Sequence, residues 1–366
     1  SAAPRRRTSV ATGGLPPPST RTRGRILSVV AMALLATGEG SLVPWTSTIE
    51  HEARAQVTQE MSSSLPGCTF RVVEEPHPRS CTGCLQLIDS DSGRSRLRLQ
   101  LDGWALSLAW RPDGQKLAVG LDSGLVRVFD VASGAEELRL KHPPRVSGLA
   151  WSSDSRRLAT GGTDKVLRIF DVRSDRATQE VRKAHGGVIR SIGWHKDGQR
   201  LATACNDRAV RVFNLQTNEL ESQLAHHDAV TGLAWSPDGG RLATACADRC
   251  ARVFGVQTPG EELRLDHRAP VRCVAWRPDG VKLATGCDDM FARVFDVPSG
   301  AQELQLRHGD RVTGVEWEAE GRRLATACGD KCARIFEASS GKEEQRVRHD
   351  NQVSCLAWRP VIPALS

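Results

Sequence analysis

In the stretch RLATACADRCARVF, residues 241–254, a threonine, a cysteine and an aspartate (Thr244, Cys246, Asp248) fall within five residues, and His226 lies eighteen residues before the threonine. A hydroxyl or thiol nucleophile, a histidine base and a carboxylate that orients it are the parts of nucleophilic catalysis. Cys, His and Asp are also metal ligands. The set is not unique, however. His142/Thr160/Asp164, His185/Thr203/Asp207, His226/Thr244/Asp248, His267/Thr285/Asp289 and His308/Thr326/Asp330 repeat it five times in register. Chemistry needs one such site, so five copies read as architecture. No catalytic residue and no cofactor is expected.

The cysteines follow the same rule. Cys205, Cys246, Cys287 and Cys328 share one repeat position, Cys250 and Cys332 a second, Cys273 and Cys355 a third. Thiols on strands behave as small buried hydrophobes. Their odd total of eleven favours a reducing compartment over secretion. Cys68, His77, Cys81 and Cys84 stand outside the register, as Cys-x8-His-x3-Cys-x2-Cys. A zinc-clipped loop is the sharper reading of them. With one close pair and no second, a surface loop is expected and no metal is assigned.

The elements that position these residues emerge from the whole chain. Its 366 residues, 39% hydrophobic and 25% charged, have the composition of a soluble globular protein. The net charge of +7 is uneven, since residues 1–38 hold six arginines and no acidic residue. Residues 1–65 therefore read as a disordered basic leader, with residues 66–366 as the folded unit. The apolar run ILSVVAMALLA, 26–36, is short of the ~20 residues that a membrane-spanning helix needs. Arginines before it suit a secretory signal or an organelle transit peptide. The free thiols count against secretion, so a cytoplasmic or nuclear location is expected, with an organelle as the alternative. The first residue is Ser rather than Met, which reads as a fragment or a processed form.

From residue 85 onward the chain repeats. Trp110, Trp151, Trp194, Trp235, Trp276, Trp317 and Trp358 are spaced 41, 43, 41, 41, 41 and 41 residues apart. One period holds four strand-like pieces: AVTGLAW (229–235), RLATAC, CARVFGV and ELRL, separated by turn residues such as SPDGG. A small four-stranded antiparallel sheet, apolar on both faces, must stack on copies of itself. The expected fold is all-β, a seven-bladed β-propeller. Six blades are complete. The last is closed by both chain ends: LQLID (85–89) and RLRLQL (96–101) as third and fourth strands, QVSCLAW (352–358) as the first, and TFRVVE (69–74) as a candidate second. Such closure leaves no open sheet edge.

The pattern His-x3-Val, Trp-[Ser/Arg]-Pro-Asp-Gly, Leu-Ala-Thr, Asp and Arg-[Val/Ile]-Phe-Asp resembles the WD40 repeat family over about residues 85–358. The family's Trp-Asp pair is altered throughout, to Phe129-Asp130, Phe170-Asp171, Phe213-Asn214, Phe254-Gly255, Phe295-Asp296 and Phe336-Glu337. The resemblance implies that each His, Thr and Asp set forms a hydrogen-bonded network tying the outer loop to the inner turn. Phe lacks the indole donor that ends the family's network, so shorter networks terminating at Thr are expected. The first blade, with Leu101, Val119 and Ser123 at these positions, should have none. Arg127, Arg168, Arg211, Arg252, Arg293 and Arg334 each precede the Phe by two residues. They are expected to stack on that ring and to pair with backbone or acidic groups between blades.

The resemblance also implies a non-catalytic scaffold that binds protein or peptide partners on its rim, within a multiprotein complex and without nucleic acid or a membrane span. Rim positions are where these repeats disagree, and Arg145, Arg190, Arg272 and Arg311 are the candidate partner-binding residues. An alternative is a ubiquitin-ligase subunit. FDVR, 170–173, resembles the Trp-Asp-x-Arg box of cullin-type substrate receptors, and residues 110–131 resemble the WD40 domain of the anaphase-promoting complex's fourth subunit.

Overall fold

The computed structural model describes residues 83–360, apart from 91, 93, 144, 173–176 and 258–259, together with the backbone of one further strand at 27–33. All of its regular elements are strands. Six four-stranded antiparallel sheets each use four consecutive strands of the chain, and stack as the blades of a β-propeller. They span residues 105–141, 146–184, 189–225, 230–266, 271–307 and 312–348, numbered here one to six.

Blade four shows why the sequence folds this way. Its second strand, Arg241–Cys246, is buried at every residue after the first, and its third, Cys250–Gly255, is buried throughout. Central strands covered on both faces need continuous apolar runs rather than alternation, which explains Leu-Ala-Thr-Ala-Cys. The fourth strand, Glu261–Asp266, is the outer edge, and most of its residues are exposed. The first and second strands are joined by a tight turn in which the Gly239 N–H donates to the Ser236 carbonyl at 2.8 Å. Gly239 has φ 73°. A Cβ there would stand 2.2 Å from His195 Nε2 of the preceding blade, so both conformation and space require glycine.

No blade is apolar on one side only, so each is buried by the next. Ala243, Val253 and Leu265 of blade four pack on Val271, Val274, Trp276 and Leu283 of blade five. Leu283 has no exposed surface, and truncating it to Ala would cost about 2–5 kcal/mol.

The blades are also hydrogen-bonded to one another. The indole N–H of Trp151 donates to the Ala109 carbonyl of the preceding first strand (3.2 Å), Trp194 to Ala150 (3.0 Å), and Trp235 to Gly193 (3.0 Å). Trp276, Trp317 and Trp358 do the same to Ala234, Ala275 and Glu316, at 3.1, 3.1 and 2.9 Å. The repeat's tryptophan spacing is therefore the spacing of an inter-blade bond.

A further four-stranded sheet has the order Val353–Trp358, Leu27–Ala33, Gly83–Asp89, Ser95–Leu101. Leu27–Ala33 pairs antiparallel with both neighbours, Val29 opposite Leu87 on one side and Ala357 on the other. This differs from the expectation that 69–74 would fill that place; residues 69–74 lie outside those described. The strand comes instead from the apolar run of the presumed leader. Its LSVVAMA carries no charge and two valines, which suits a strand paired on both edges.

Candidate functional site

In four blades the repeated histidine bonds to the repeated threonine. His185 Nε2 is 2.9 Å from Thr203 Oγ1, and His226 is 3.0 Å from Thr244. His267 is 2.9 Å from Thr285, and His308 is 2.8 Å from Thr326. The other ring nitrogen, Nδ1, faces a carbonyl two residues earlier, that of Lys183, Leu224, Leu265 or Leu306. A carbonyl only accepts, so Nδ1 carries the proton and Nε2 accepts from the threonine hydroxyl. These imidazoles are neutral. Burial, aided by neighbouring arginines, pushes His226 and His308 down to about 4, and burial also lowers His185 and His267.

The aspartates take a different partner from the one expected. Each pairs with the arginine four residues on, across the tight turn: Arg211 with Asp207 (2.8 Å), Arg252 with Asp248 (2.7 Å), Arg293 with Asp289 (2.6 Å), and Arg168 with Asp164 and Arg334 with Asp330 (2.5 Å each). A guanidinium is a permanent charge with paired donors, and it outcompetes a neutral imidazole for a carboxylate. Asp207 and Asp330 also accept the loop N–H groups of Gly186 and Gly309, at 3.0 and 2.9 Å. The aspartate thus ties turn to loop through arginine and backbone, not through histidine.

The arginines correct a second expectation. Five are held by these aspartates rather than by stacking on the phenylalanine two residues later. Only Arg127 lies over its own Phe129, 4.8 Å from the centroid. Blade one has Ser123 in place of the aspartate, and Arg127 turns to Glu136 (2.5 Å) and Asp102 (3.2 Å). The phenylalanines instead meet the histidines edge-on: His226 and Phe254 centroids are 5.5 Å apart at 64°.

Two blades lack the histidine–threonine bond. In blade one Leu101 and Val119 are buried apolar residues at those places. In blade two His142 Nε2 lies 2.9 Å from Arg168 Nη1, and Thr160 Oγ1 is buried without a partner. Here the loop reads His-Pro-Pro-Arg, and Arg145 adopts φ 63°. The bonded threonines have no exposed surface, so their hydroxyls are sealed from any substrate. The cysteines are buried in parallel: Cys246, Cys287 and Cys328 Sγ lie 3.2 Å from the carbonyls of Asp228, Ala269 and Asp310. Burial raises Cys246 and Cys328 to about 11, which removes thiolate character. Cys68, His77 and Cys81 lie outside the described residues, as does Arg173 of the FDVR stretch. Among the described residues no group of three or more His, Cys, Asp and Glu could hold a metal.

What the repeat leaves open is the mouth of the central channel. First strands of the six blades, together with Val353–Trp358, line a cavity of about 270 Å³ there, with Arg190 and Arg272 among the lining residues. Four first strands line it with a polar residue at the rim and an apolar one two residues on: Ser147 and Leu149, Arg190 and Ile192, Thr231 and Leu233, Arg272 and Val274; blade one has Leu106 at the rim position instead. Three of the hydroxyls at this position bridge to the next first strand. Ser147 Oγ, Thr231 Oγ1 and Thr313 Oγ1 each donate at 2.6 Å to the carbonyls of Ile189, Val271 and Val353. Where the position is arginine, a rim residue holds the guanidinium. Arg272 makes a two-point ion pair with Asp288, at 2.7 and 2.5 Å. Arg190 bonds through Nε to Asn206 Oδ1 at 2.9 Å.

The four rim arginines selected from sequence are all exposed and are only partly brought together. Arg190 and Arg272 share the cavity. Burial, and then the charges of Arg272 and Arg145, lower the pKa of Arg190; Arg145 is not among the residues that line the cavity. Arg311 stands apart, with Nη2 on Gln352 Oε1 at 3.2 Å. The role of Asn206 was missed, although its place before the turn aspartate marks it as the counterpart of Asp288.

Three family models match the chain. One, described as WD domain, G-beta repeat, covers residues 260–296. The anaphase-promoting complex subunit 4 WD40 domain covers 97–142 and 302–361, and the nucleolar protein 10-like N-terminal domain covers 131–260. A comparison with curated proteins found no match.

Proposed function

Because the chain belongs to the WD40-repeat β-propeller family, we propose that it is a protein-interaction scaffold that binds protein or peptide partners on its rim. Propellers of this family are generally non-catalytic scaffolds, and no reaction is assigned to the chain. The observation that carries the reading is the contrast between core and rim. In four blades the histidines and threonines are spent on one another, whereas Arg145, Arg190, Arg272 and Arg311 break the repeat and reach solvent. Exposed arginines at a concave centre are frequent anchors of binding energy. The network residues are assigned a structural role.

The ring is proposed to close with seven blades, the composite sheet being the seventh. Supporting this, the Trp110 indole donates to Ala357 and the Trp358 indole to Glu316, so Val353–Trp358 bonds to blade one and to blade six. The rest of residues 1–65 is proposed as a basic leader, and its targeting role would decide between an organelle and a cytoplasmic or nuclear site. No helix among the described residues is long and apolar enough to cross a membrane.

The match of 97–142 and 302–361 to the anaphase-promoting complex subunit 4 WD40 domain favours a second reading, a structural subunit of a ubiquitin ligase. The test of both is co-purification from source cells, with the wild type beside a variant in which Arg145, Arg190, Arg272 and Arg311 are alanine. A defined partner set lost only from the variant supports the scaffold; ubiquitin-ligase subunits among that set support the second reading. Identical partner sets would overturn the choice of face.

A further inference from the structure

Blades three and five carry the same device with one difference. Each has an arginine at the rim position of its first strand, held by the residue that precedes the turn aspartate. In blade five that residue is Asp288, and Arg272 is neutralised by a two-point ion pair. In blade three it is Asn206, and among the described residues the only bond to the Arg190 side chain is the one to its amide oxygen. Asn206 has the shape of Asp288 and points an oxygen at the guanidinium, but it brings no charge. Arg190 is therefore oriented without being neutralised, and it faces a cavity of about 270 Å³ whose other lining arginine, Arg272, already has its carboxylate. A guanidinium with no counter-charge at the edge of a concave site favours an anion there.

We infer that Arg190 is the anchor of an anion site at the mouth of the central channel, which takes a carboxylate or phosphate group presented by a peptide segment of the partner. The inference rests on the scaffold reading and names the chemistry of its ligand. A cavity of this volume excludes a folded domain and admits the side chains of an extended segment. An amide-held guanidinium keeps free N–H donors for the two-point contact that carboxylate and phosphate groups accept. Below the rim, Leu149, Ile192, Leu233 and Val274 offer an apolar wall for the stem of the anionic side chain.

The test uses the full chain and fluorescence polarisation with three labelled peptides: hexaglutamate, a phosphoserine peptide of the same length, and hexaglutamine. The informative variant is Asn206→Asp, which installs in blade three the ion pair that blade five already has and so leaves the fold intact. Its thermal midpoint is measured alongside. N206D is expected to weaken anionic-peptide binding about tenfold or more, the loss of one charge-assisted contact. Asp288→Asn, which frees Arg272, is expected to strengthen it. Binding of hexaglutamate identifies a carboxylate and binding of the phosphoserine peptide alone a phosphate; both uphold the site. Equal affinity of wild type and N206D, hexaglutamine binding as tight as hexaglutamate, or no binding of any peptide overturns it. If partners co-purify with wild type and N206D but not with the four-arginine variant, the anion site falls while the rim scaffold stands.

Discussion

The indole N–H of Trp110 donates to the main-chain carbonyl of Ala357 at 3.4 Å, joining residues 247 positions apart. It is the same bond that links each blade to its predecessor, made here between the early and the late part of the chain. Replacing Trp110 with Phe keeps most of the ring's packing and removes the donor. We expect a fall of about 1 kcal/mol in unfolding free energy, read by thermal or denaturant melting. Trp235→Phe, at an internal junction, should cost a similar amount.

The strand Leu27–Ala33 lies between Val353–Trp358 and Gly83–Asp89. Without it both neighbours present unpaired edges, which favours aggregation. Deleting residues 1–33 should lower the melting temperature and raise light scattering, whereas deleting 1–26 should change neither. A chain lacking 1–33 that melts like wild type would remove this strand from the fold.

Thr244→Val is nearly isosteric and leaves His226 Nε2 buried without its hydroxyl partner. The expected cost is about 1–3 kcal/mol, measured by melting. Partner capture should be unchanged, because Thr244 has no exposed surface.

The pH dependence has two opposed parts. His226 and His308, held at about 4 by burial, bind protons more readily when unfolded, where the value is near 6.5. Their contribution is complete above pH 6.5 and is lost as pH falls through 4. Glu316 does the reverse. It occupies a place where the other first strands have Ala or Gly, accepts the Trp358 N–H at 3.1 Å, and is raised by burial to about 8 from 4.5. Its contribution is complete below pH 4.5 and is lost as pH rises through 8. Stability should therefore peak near neutral pH. Glu316→Gln keeps the acceptor and removes the ionisation, so it should be more stable than wild type at pH 8 and flatten the alkaline side. Melting curves from pH 4 to 9 check both.

Much of this was legible in the sequence because the repeat writes each element several times. A 41-residue tryptophan period and Pro-Asp-Gly turns are enough to place the strands. Bond partners were harder, because they depend on competition. Asp248 is within reach of His226 and Arg252 by any sequence reading, and only the charge on the guanidinium and the four-residue turn decide for arginine. Leu27–Ala33 reads as leader in the sequence because some fifty residues separate it from Gly83–Asp89, with which it pairs, and local pattern carries no information about that distance. Asn206 carries no signal of its own in the sequence, because the residue before the turn aspartate differs in every blade: Thr163, Asn206, Ala247, Asp288 and Gly329. Its meaning appears only beside the Arg272–Asp288 pair in blade five.

The central claim, that partners bind the channel mouth and its rim, is tested most directly by site-specific photo-crosslinking. A photo-reactive residue would replace His227, exposed on the rim loop after blade three, or Leu220, 49% exposed on that blade's outer strand. The account predicts crosslinked partners from position 227 and none from position 220. Crosslinks from 220 alone would contradict it, moving the binding surface from the channel mouth to the outer edge of the blades.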